Sequence, residues 1–444
     1  MVWSNFHATG RTVFRPLLAS SCLLSLQLKS DTPIRCRCES SSGPENNDSP
    51  SRSPATTIRQ NEWNDNSFPD LSRHGRDSLL RQFLTKEVYE SLRTKSTTSG
   101  VKLEDIIKAG VALPRSTDTS SLGVYCGDAE SYHTFSQLLH PMVESHHTTK
   151  LPFDRPPLLL QRFKTNMDPQ HVVQQQLDPT GDYILFTRMR LARSIKGFQF
   201  GSCIQRGERR AVEALLRDCV QQWDDNNKGG STRTTYQSVK DMDNTVHQQL
   251  VQRHILFPNP NSTLLAAGLG RDWPDGRGIY CEQERDDDDD DKSWPPRDTP
   301  RIVLWVNAPQ DHVWIISTEK GGNIQAVFSR LSRTVWRLET ALRDRGHCFH
   351  EDRILGFLNS SPADIGTALR ASVVIKLVRL GRQKGFYDLM HRLKLEAKAQ
   401  NDQKSGYTGI FDVGNAETLG KTEVQNINTM IQGVGAFCSS VPEF

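Results

Sequence analysis

Several features are missing from this sequence, and each absence excludes a class of protein. No apolar run reaches the roughly 18 residues that a helix needs to cross a bilayer, and the longest candidate is a broken stretch at 16–28. The nine cysteines show no paired zinc-site spacing, and their odd number argues against a disulfide framework. The formal charge of only +3 gives no reason to expect nucleic acid as a partner. We therefore expect a soluble protein from a reducing compartment, without a transmembrane segment.

Acidic residues are absent from the first 30 positions, where Arg11, Arg15 and Lys29 lie among serines and leucines. This composition is typical of a mitochondrial transit peptide. A secretory signal and a cytoplasmic protein are the alternatives, and the scattered arginines favour mitochondrial import. Residues 40–66 contain almost no apolar side chains, which predicts a flexible linker. Residues 1–60 are thus interpreted as a transit-peptide-like segment followed by a disordered linker.

Helical periodicity dominates residues 61–160. Leu79, Leu80, Phe83 and Leu84 recur at helical spacing, and the same pattern returns near Leu103. The sequence predicts a small all-α domain here. A polar, proline-containing stretch at 151–179 then leads into the next domain.

From residue 180 to 444 the pattern changes to strands mixed with longer helices. Strands are predicted at 183–190, 301–306, 313–316, 354–358, 371–378 and 409–413, and helices at 206–223, 324–342 and 423–434. The strands at 301–306 and 313–316 flank a polar turn and predict a hairpin. Hairpins with separate helices indicate an α+β domain rather than a parallel doubly wound one.

An acidic run at 282–298 interrupts this domain and includes six consecutive aspartates, Asp286 to Asp291. Such a block repels itself and stays solvated, so we interpret it as a disordered insertion. A metal-binding loop is the alternative, but it requires ligands that converge on a shaped loop. The sequence predicts no metal site of its own.

Six segments share their motifs with one family: 127–132, 188–198, 270–279, 316–323, 365–370 and 411–415. Together they resemble the phosphagen (ATP:guanidino) kinases, and the creatine kinases more than the arginine kinases. The resemblance implies a small helical domain joined to a larger antiparallel sheet flanked by helices, and a homodimer or larger oligomer. It also implies reversible phosphoryl transfer between Mg-ATP (ADP in reverse) and a guanidino substrate, with creatine favoured. Mg²⁺ would arrive on the nucleotide rather than in a protein cage.

The same resemblance assigns a nucleotide site to five residues. Arg188 and Arg190 match a pair of phosphate-binding arginines, and alternation along a strand turns both to one face. Arg370 matches a further phosphate arginine, His254 a histidine that packs on adenine, and Asp412 an aspartate on the nucleoside side.

The catalytic positions implied by the resemblance carry other residues. In the turn at 307–312, Gln310 aligns with a glutamate that holds the guanidinium, and Trp314 aligns with a phosphate arginine. Asp311 is the only carboxylate in this turn, and its expected role is to cap the turn, with catalysis as the alternative. Ser361 stands where the family has a reactive cysteine, and serine cannot form a thiolate at neutral pH.

Two neighbouring positions also differ from the family. Asp364 replaces an asparagine, and Lys398 or Lys404 would have to replace a loop arginine, as a point charge rather than a bidentate fork. Loss of a positioned base costs about 10² to 10⁴ in rate, and loss of a transition-state arginine about 10³ to 10⁵. Two hypotheses follow: a weak creatine-kinase-like phosphotransferase, or an inactive pseudo-kinase that retains nucleotide binding or a scaffold role. The residues favour the second.

Overall fold

The fold is taken from a computed structural model, which describes residues 67–75, 77–112, 122–154, 162–226, 232–284, 296, 299–400 and 406–438. All of these belong to one compact unit. The predicted transit-peptide-like segment and linker at 1–60, the aspartate run at 286–291 and Lys404 lie outside the described residues.

The first part of the described chain is helical. Its helices are α1 (Leu79–Phe83), α2 (Lys86–Leu92), α3 (Leu103–Ala112), α4 (Ser131–Thr134) and α5 (Ser136–His146). The side chains of Ser78 and Thr85 accept hydrogen bonds from backbone N–H groups at the starts of α1 and α2, as N-caps do. The apolar residues at helical spacing pack into one cluster around the buried Leu80.

From residue 184 the chain combines strands with longer helices. In chain order the elements are β1 (Ile184–Arg193), α6 (Arg206–Asn226), β2 (Thr232–Ser238), α7 (Asn244–Gln252), α8 (Ser262–Ala266), β3 (Gly278–Glu284), β4 (Ile302–Val306), β5 (Val313–Lys320), α9 (Ile324–Arg343), β6 (Glu351–Asp352), β7 (Gly356–Phe357), β8 (Leu369–Lys376), α10 (Phe386–Arg392), β9 (Leu395–Ala399), β10 (Ile410–Asn415) and α11 (Glu423–Cys438).

Eight strands form one antiparallel sheet in the order β2-β3-β4-β5-β1-β8-β10-β9, and β6 pairs with β7 separately. The sheet has two unlike faces because side chains alternate along each strand. One face, with Met189, Leu191 and Val373, packs against α6, α9 and α11 in the main core. The other face carries Arg188 and Arg190. A helical domain beside a large antiparallel sheet with flanking helices confirms the predicted α+β fold.

The predicted hairpin is confirmed, because β4 and β5 pair directly across the 307–312 turn. The long helices are confirmed as well, and α9 ends where expected: Gly346 adopts φ 77°, and its N–H donates to the carbonyl of Arg343.

Other boundaries were wrong. The strand predicted at 354–358 is reduced to the two residues of β7, and the last helix runs past residue 434 to Cys438. The acidic insertion does not begin at 282, because Glu282 and the two residues after it pair with β2 in β3. No helix among the described residues is long and apolar enough to cross a membrane.

Candidate active site

The polar face of the sheet collects four of the predicted nucleotide residues. Arg188 and Arg190 lie on β1, and strand register places Arg190 opposite Arg370 of β8. Asp412 of β10 lies opposite Val374, two residues along β8 from Ser372, which faces Arg188. We call the group formed by Arg188, Arg190, Arg370 and Asp412, together with Glu396 of β9, the phosphate end.

Arg370 is already paired within the protein. Its Nη2 donates to Asp412 Oδ1 at 2.9 Å, and its Nη1 donates to Glu396. Lys398 Nζ lies 3.4 Å from the other Glu396 oxygen. Burial opposes the charge of Asp412, yet Arg370, Arg190 and Arg188 together hold its pKa below the ordinary value. The positive charge of Arg370 is therefore offset by two carboxylates before any phosphate arrives.

Arg188 has fewer hydrogen-bond partners for its guanidinium than Arg370 has in the described chain. Its Nη2 donates to the backbone carbonyl of His254 at 3.4 Å, and its guanidinium lies 5.9 Å from the ring centroid of Trp305. Its Nε is buried and makes no hydrogen bond within the described residues. Burial and the neighbouring Arg190 lower the pKa of Arg188 to about 10, so it stays charged at neutral pH. Of the cations at the phosphate end, Arg188 has donor capacity left for an anionic ligand, and His254 lies beside it.

The second half of the site is the turn end, which we define as the 307–312 turn, Trp314 and the loop at 360–364. Its carboxylate is Asp311, whose side chain is 1% exposed. Trp314 Nε1 donates to Asp311 Oδ2 at 2.9 Å, and the backbone N–H of Ser360 donates to Asp311 Oδ1 at 3.1 Å. Burial and the nearby Asp364 raise the pKa of Asp311 to about 7. One oxygen of Asp311 thus ties the turn to β5, and the other ties it to the loop.

Trp314 of the turn end contacts Arg190 of the phosphate end. Its ring stacks on Trp305, the residue opposite in β4, with centroids 5.6 Å apart and planes 16° apart. The Arg190 guanidinium lies 4.8 Å from the Trp314 ring centroid, within range of a cation–π interaction. An arginine that the resemblance expects at position 314 is replaced by an aromatic surface that holds Arg190.

The remaining predicted residues also lie at the turn end. Ser361 is buried and caps a short 3-10 turn at 362–364, where its Oγ accepts a hydrogen bond from the Ala363 N–H at 3.3 Å. Gln310 is half-buried on the turn. Burial raises the pKa of Asp364, although Arg190 opposes the shift. The loop also touches the helical domain, because the Cys126 N–H donates to the Ser360 carbonyl at 2.7 Å.

Two residues of this site were missed from sequence. Glu396 lies in a short edge strand, and only the register of β9 with β10 brings it to Arg370. Ser360 acts through its backbone N–H, which no side-chain motif reports. In the described part of the chain, no group of three or more His, Cys, Asp or Glu could hold a metal ion. The open donor of Arg188 fits an anionic group such as a phosphate.

Comparison with known proteins identifies the family. The model for the ATP:guanido phosphotransferase C-terminal catalytic domain matches residues 215–440, and that for the N-terminal domain matches residues 74–144. Creatine kinase M-type of Gallus gallus is 35% identical over 370 residues, which covers 83% of this chain and 89% of that protein. Creatine kinase, testis isozyme, of Oncorhynchus mykiss is 33% identical over 370 residues, covering 83% and 88%.

Solved structures agree with this result. A lombricine kinase superimposes with a TM-score of 0.70 at 27% identity, covering 84% of this chain and 94% of that one. The substrate-free duplicated taurocyamine kinase from Schistosoma mansoni gives a TM-score of 0.67 at 26% identity, covering 82% and 47%. The fold, the two family matches and the curated relatives agree, and the chain belongs to the ATP:guanido phosphotransferase, or phosphagen kinase, family.

Proposed function

We propose that this family member is a pseudo-kinase, which binds nucleotide phosphates at the phosphate end and transfers a phosphoryl group slowly or not at all. The observation that carries the proposal is the position of Asp311. Phosphoryl transfer to or from a guanidino nitrogen needs a carboxylate that orients and deprotonates it. Asp311 is the only carboxylate of the turn, and it is buried with both oxygens bound to protein donors.

Charge balance at the phosphate end supports the same proposal. Transfer needs positive charge around the phosphates in the transition state. Arg370 is offset by Asp412 and Glu396. Arg190 keeps its charge, but its guanidinium is packed on the Trp314 ring. Arg188 keeps an open donor, which we expect to support weak binding of Mg-ATP or Mg-ADP.

A weak phosphotransferase is the second candidate, and one observation favours it. The pKa of Asp311 is raised to about 7, the range in which a general base works best at neutral pH. Creatine is the substrate we propose in that case, because creatine kinases of Gallus gallus and Oncorhynchus mykiss are 35% and 33% identical to this chain. The structural similarity to lombricine and taurocyamine kinases adds those two guanidino compounds to the test.

The experiment uses the full chain and two measurements. Calorimetry reports Mg-ATP and Mg-ADP binding, and a coupled assay follows ADP release with creatine, arginine, lombricine and taurocyamine. We expect binding and little turnover. Turnover above about 1 per second would overturn the pseudo-kinase proposal. Absence of nucleotide binding would overturn the assignment of the phosphate end.

Asp311→Asn separates the two candidates. Asparagine keeps an acceptor oxygen but cannot take a proton. If residual turnover disappears in this variant while its folding is retained, Asp311 is the base of a weak enzyme. If residual turnover is unchanged, the carboxylate has only its structural role.

Location and assembly are proposals of a different kind. The composition of residues 1–30 supports mitochondrial import, which a fluorescent fusion of residues 1–60 tests by microscopy. Family membership supports a homodimer or larger oligomer, and light scattering of the purified chain tests it.

A further inference from the structure

A cavity lies on the opposite side of the sheet from the proposed nucleotide site. Its volume is about 730 Å³, and its walls come from the end of β1, the segment 165–170, α9, β7 and the start of α11. We call it the β1–α9 cavity. Its size falls within the range of about 300 to 1,000 Å³ that is usual for small-molecule sites.

Two fully buried ionic side chains line this cavity. Arg193 is 1% exposed and Glu423 is 0% exposed. Arg193 Nη1 donates to the carbonyls of Ala192 and Thr367, each at 2.8 Å, and Glu423 Oε2 accepts from the Asn166 N–H at 2.8 Å. Arg193 Nη2 and Glu423 Oε1 are 3.9 Å apart, which is too long for a hydrogen bond.

Two buried atoms are left without a partner by this arrangement in the described part of the chain, a donor on Arg193 and an acceptor on Glu423. Arg193 Nε and Glu423 Oε1 make no hydrogen bond within the described residues. An unpaired buried polar group costs about 1 to 3 kcal/mol, and more when it is charged. The serine hydroxyls of the cavity wall do have hydrogen-bond partners: Ser329 donates to the carbonyl of Gln325, and Ser332 donates to the carbonyl of Met167. The unmet capacity is therefore specific to the arginine and the glutamate.

The geometry selects the ligand chemistry. Because Nε and Nη2 belong to one guanidinium and Nη2 lies 3.9 Å from Glu423 Oε1, the free donor and the free acceptor lie near each other. A ligand that satisfies both carries an acceptor and an N–H donor on neighbouring groups. The opposite charges of Arg193 and Glu423 favour an anionic acceptor and a cationic donor, as in an α-amino acid. Three carboxylates line the cavity against two arginines, which disfavours a phosphorylated ligand: Asp168, Glu339 and Glu423 against Arg193 and Arg333.

The rest of the wall suits an apolar side chain. Trp336 is 65% exposed and borders the cavity, beside the buried Val335 of the same helix. Phe357 lies against the Arg193 guanidinium, and the guanidinium carbon Cζ is 3.5 Å from the centroid of the Phe357 ring. Such an aromatic wall is typical of ligand pockets and unusual on an otherwise charged surface.

We propose that the β1–α9 cavity binds a free α-amino acid with a large apolar side chain. Its carboxylate meets Arg193 Nε, its ammonium meets Glu423 Oε1, and its side chain lies against Trp336. This site is separate from the proposed nucleotide site and goes beyond the proposed function.

Calorimetry on the full chain with L-leucine and L-phenylalanine tests the proposal. Two fragments of leucine are the matched controls: 3-methylbutylamine, which lacks the carboxylate, and 4-methylpentanoate, which lacks the ammonium. We expect at least one of the two amino acids to bind, and each leucine fragment to bind about tenfold or more weakly than leucine if leucine is the ligand. Matching fragments, 2-phenylethylamine and 3-phenylpropanoate, serve for phenylalanine.

Two variants locate the binding. Glu423→Gln keeps an oxygen for the Asn166 N–H and is expected to lower the affinity about tenfold. Trp336→Ala removes an exposed ring and is expected to lower the affinity about threefold without lowering the melting temperature. Tyr387→Ala, at a residue 60% exposed on α10, is the control and should bind normally.

The proposal fails if neither amino acid binds at about 10 mM, or if the fragments bind as tightly as the parent. It also fails if affinity survives both variants. Should Glu423→Gln not fold, the fragment comparison and Trp336→Ala still decide the question.

Discussion

The phosphate end and the turn end lie on one face of one sheet, yet they hold their charges differently. At the phosphate end, Arg370 pairs with Glu396, whose side chain is partly open to solvent. At the turn end, Asp311 is enclosed and bound on both oxygens. Because its ion pair is partly solvated, Arg370 can exchange Glu396 for a phosphate at little cost in free energy. If Asp311 moved away, the buried N–H groups that donate to it would be left unpaired.

This difference separates binding from chemistry. The phosphate end keeps groups that a nucleotide can recruit, while the turn end uses its carboxylate and its tryptophan to fasten loops together. Under the proposed function, a protein organised in this way would retain recognition of phosphates and lose the positioning of a base. Each experiment below is directed at one of the two ends.

The largest effect is expected from rebuilding the turn end. The triple variant Gln310→Glu, Trp314→Arg and Ser361→Cys should raise ADP release with creatine by about 10²-fold or more, since it supplies a carboxylate, a phosphate cation and a thiol together. Each single change should do little, because such residues act as a unit. An unchanged rate in a folded triple variant would show that the turn has been aligned wrongly with the family.

Removal of the buried carboxylate should cost stability. Asp311→Ala leaves the indole N–H of Trp314 and the backbone N–H of Ser360 unpaired, so we expect a loss of about 3 kcal/mol in the free energy of unfolding. Urea denaturation measures it. Asp218→Ala, at an exposed position on α6, is the control and should change stability by less than about 0.5 kcal/mol. Equal losses in both variants would mean that Asp311 is not a tether.

The raised pKa of Asp311 predicts a pH dependence. Its carboxyl binds a proton more tightly in the folded chain, at a pKa of about 7, than in the unfolded chain at its ordinary value of 3.8. The stability contributed by Asp311 therefore falls as pH rises from about 4 to about 7, by about 3 to 4 kcal/mol. The difference in unfolding free energy between the native chain and Asp311→Asn, measured across this range, isolates the effect. A flat difference would mean that the pKa is not raised.

The phosphate end is tested by Arg188→Ala. Because Arg188 has an open donor beside His254, its loss should weaken Mg-ATP binding about tenfold in calorimetry. Arg337→Ala removes the same charge from α9, on the other side of the sheet, and should leave the affinity unchanged. If both variants bind alike, nucleotide does not use this face.

Much of the fold could be predicted because the buried faces of its helices and strands show in the sequence as apolar residues at regular spacing. On α9, Val327, Phe328, Leu331 and Leu338 are all buried, as their helical spacing indicated. The edge strand β2 was missed for the opposite reason. β2 reads Thr-Arg-Thr-Thr-Tyr-Gln-Ser and has no apolar alternation, since an edge strand of a large sheet need not bury a full face.

In the site, too, only relations between residues close in sequence could be predicted. Alternation along one strand was enough to place Arg188 and Arg190 together, because that relation is local. The contact of Arg370 with Glu396 joins residues 26 positions apart, and that of Asp311 with Ser360 joins residues 49 positions apart. Both depend on strand register and loop packing, which no local pattern encodes.

The smallest effect is expected from removing the carboxylate of Glu396 at the phosphate end. Glu396→Gln removes one of the two carboxylates that offset Arg370 and also releases Lys398, so Mg-ATP affinity should rise about threefold. Glu90→Gln makes the same change of net charge at an exposed pair with Arg93 in the helical domain, and it should leave the affinity as it was. A gain in Glu396→Gln alone means that the phosphate end is held back by its own ion pairs. A fall in affinity would mean that Glu396 positions Arg370 for the nucleotide, and the two ends would then be alike in using their carboxylates as supports.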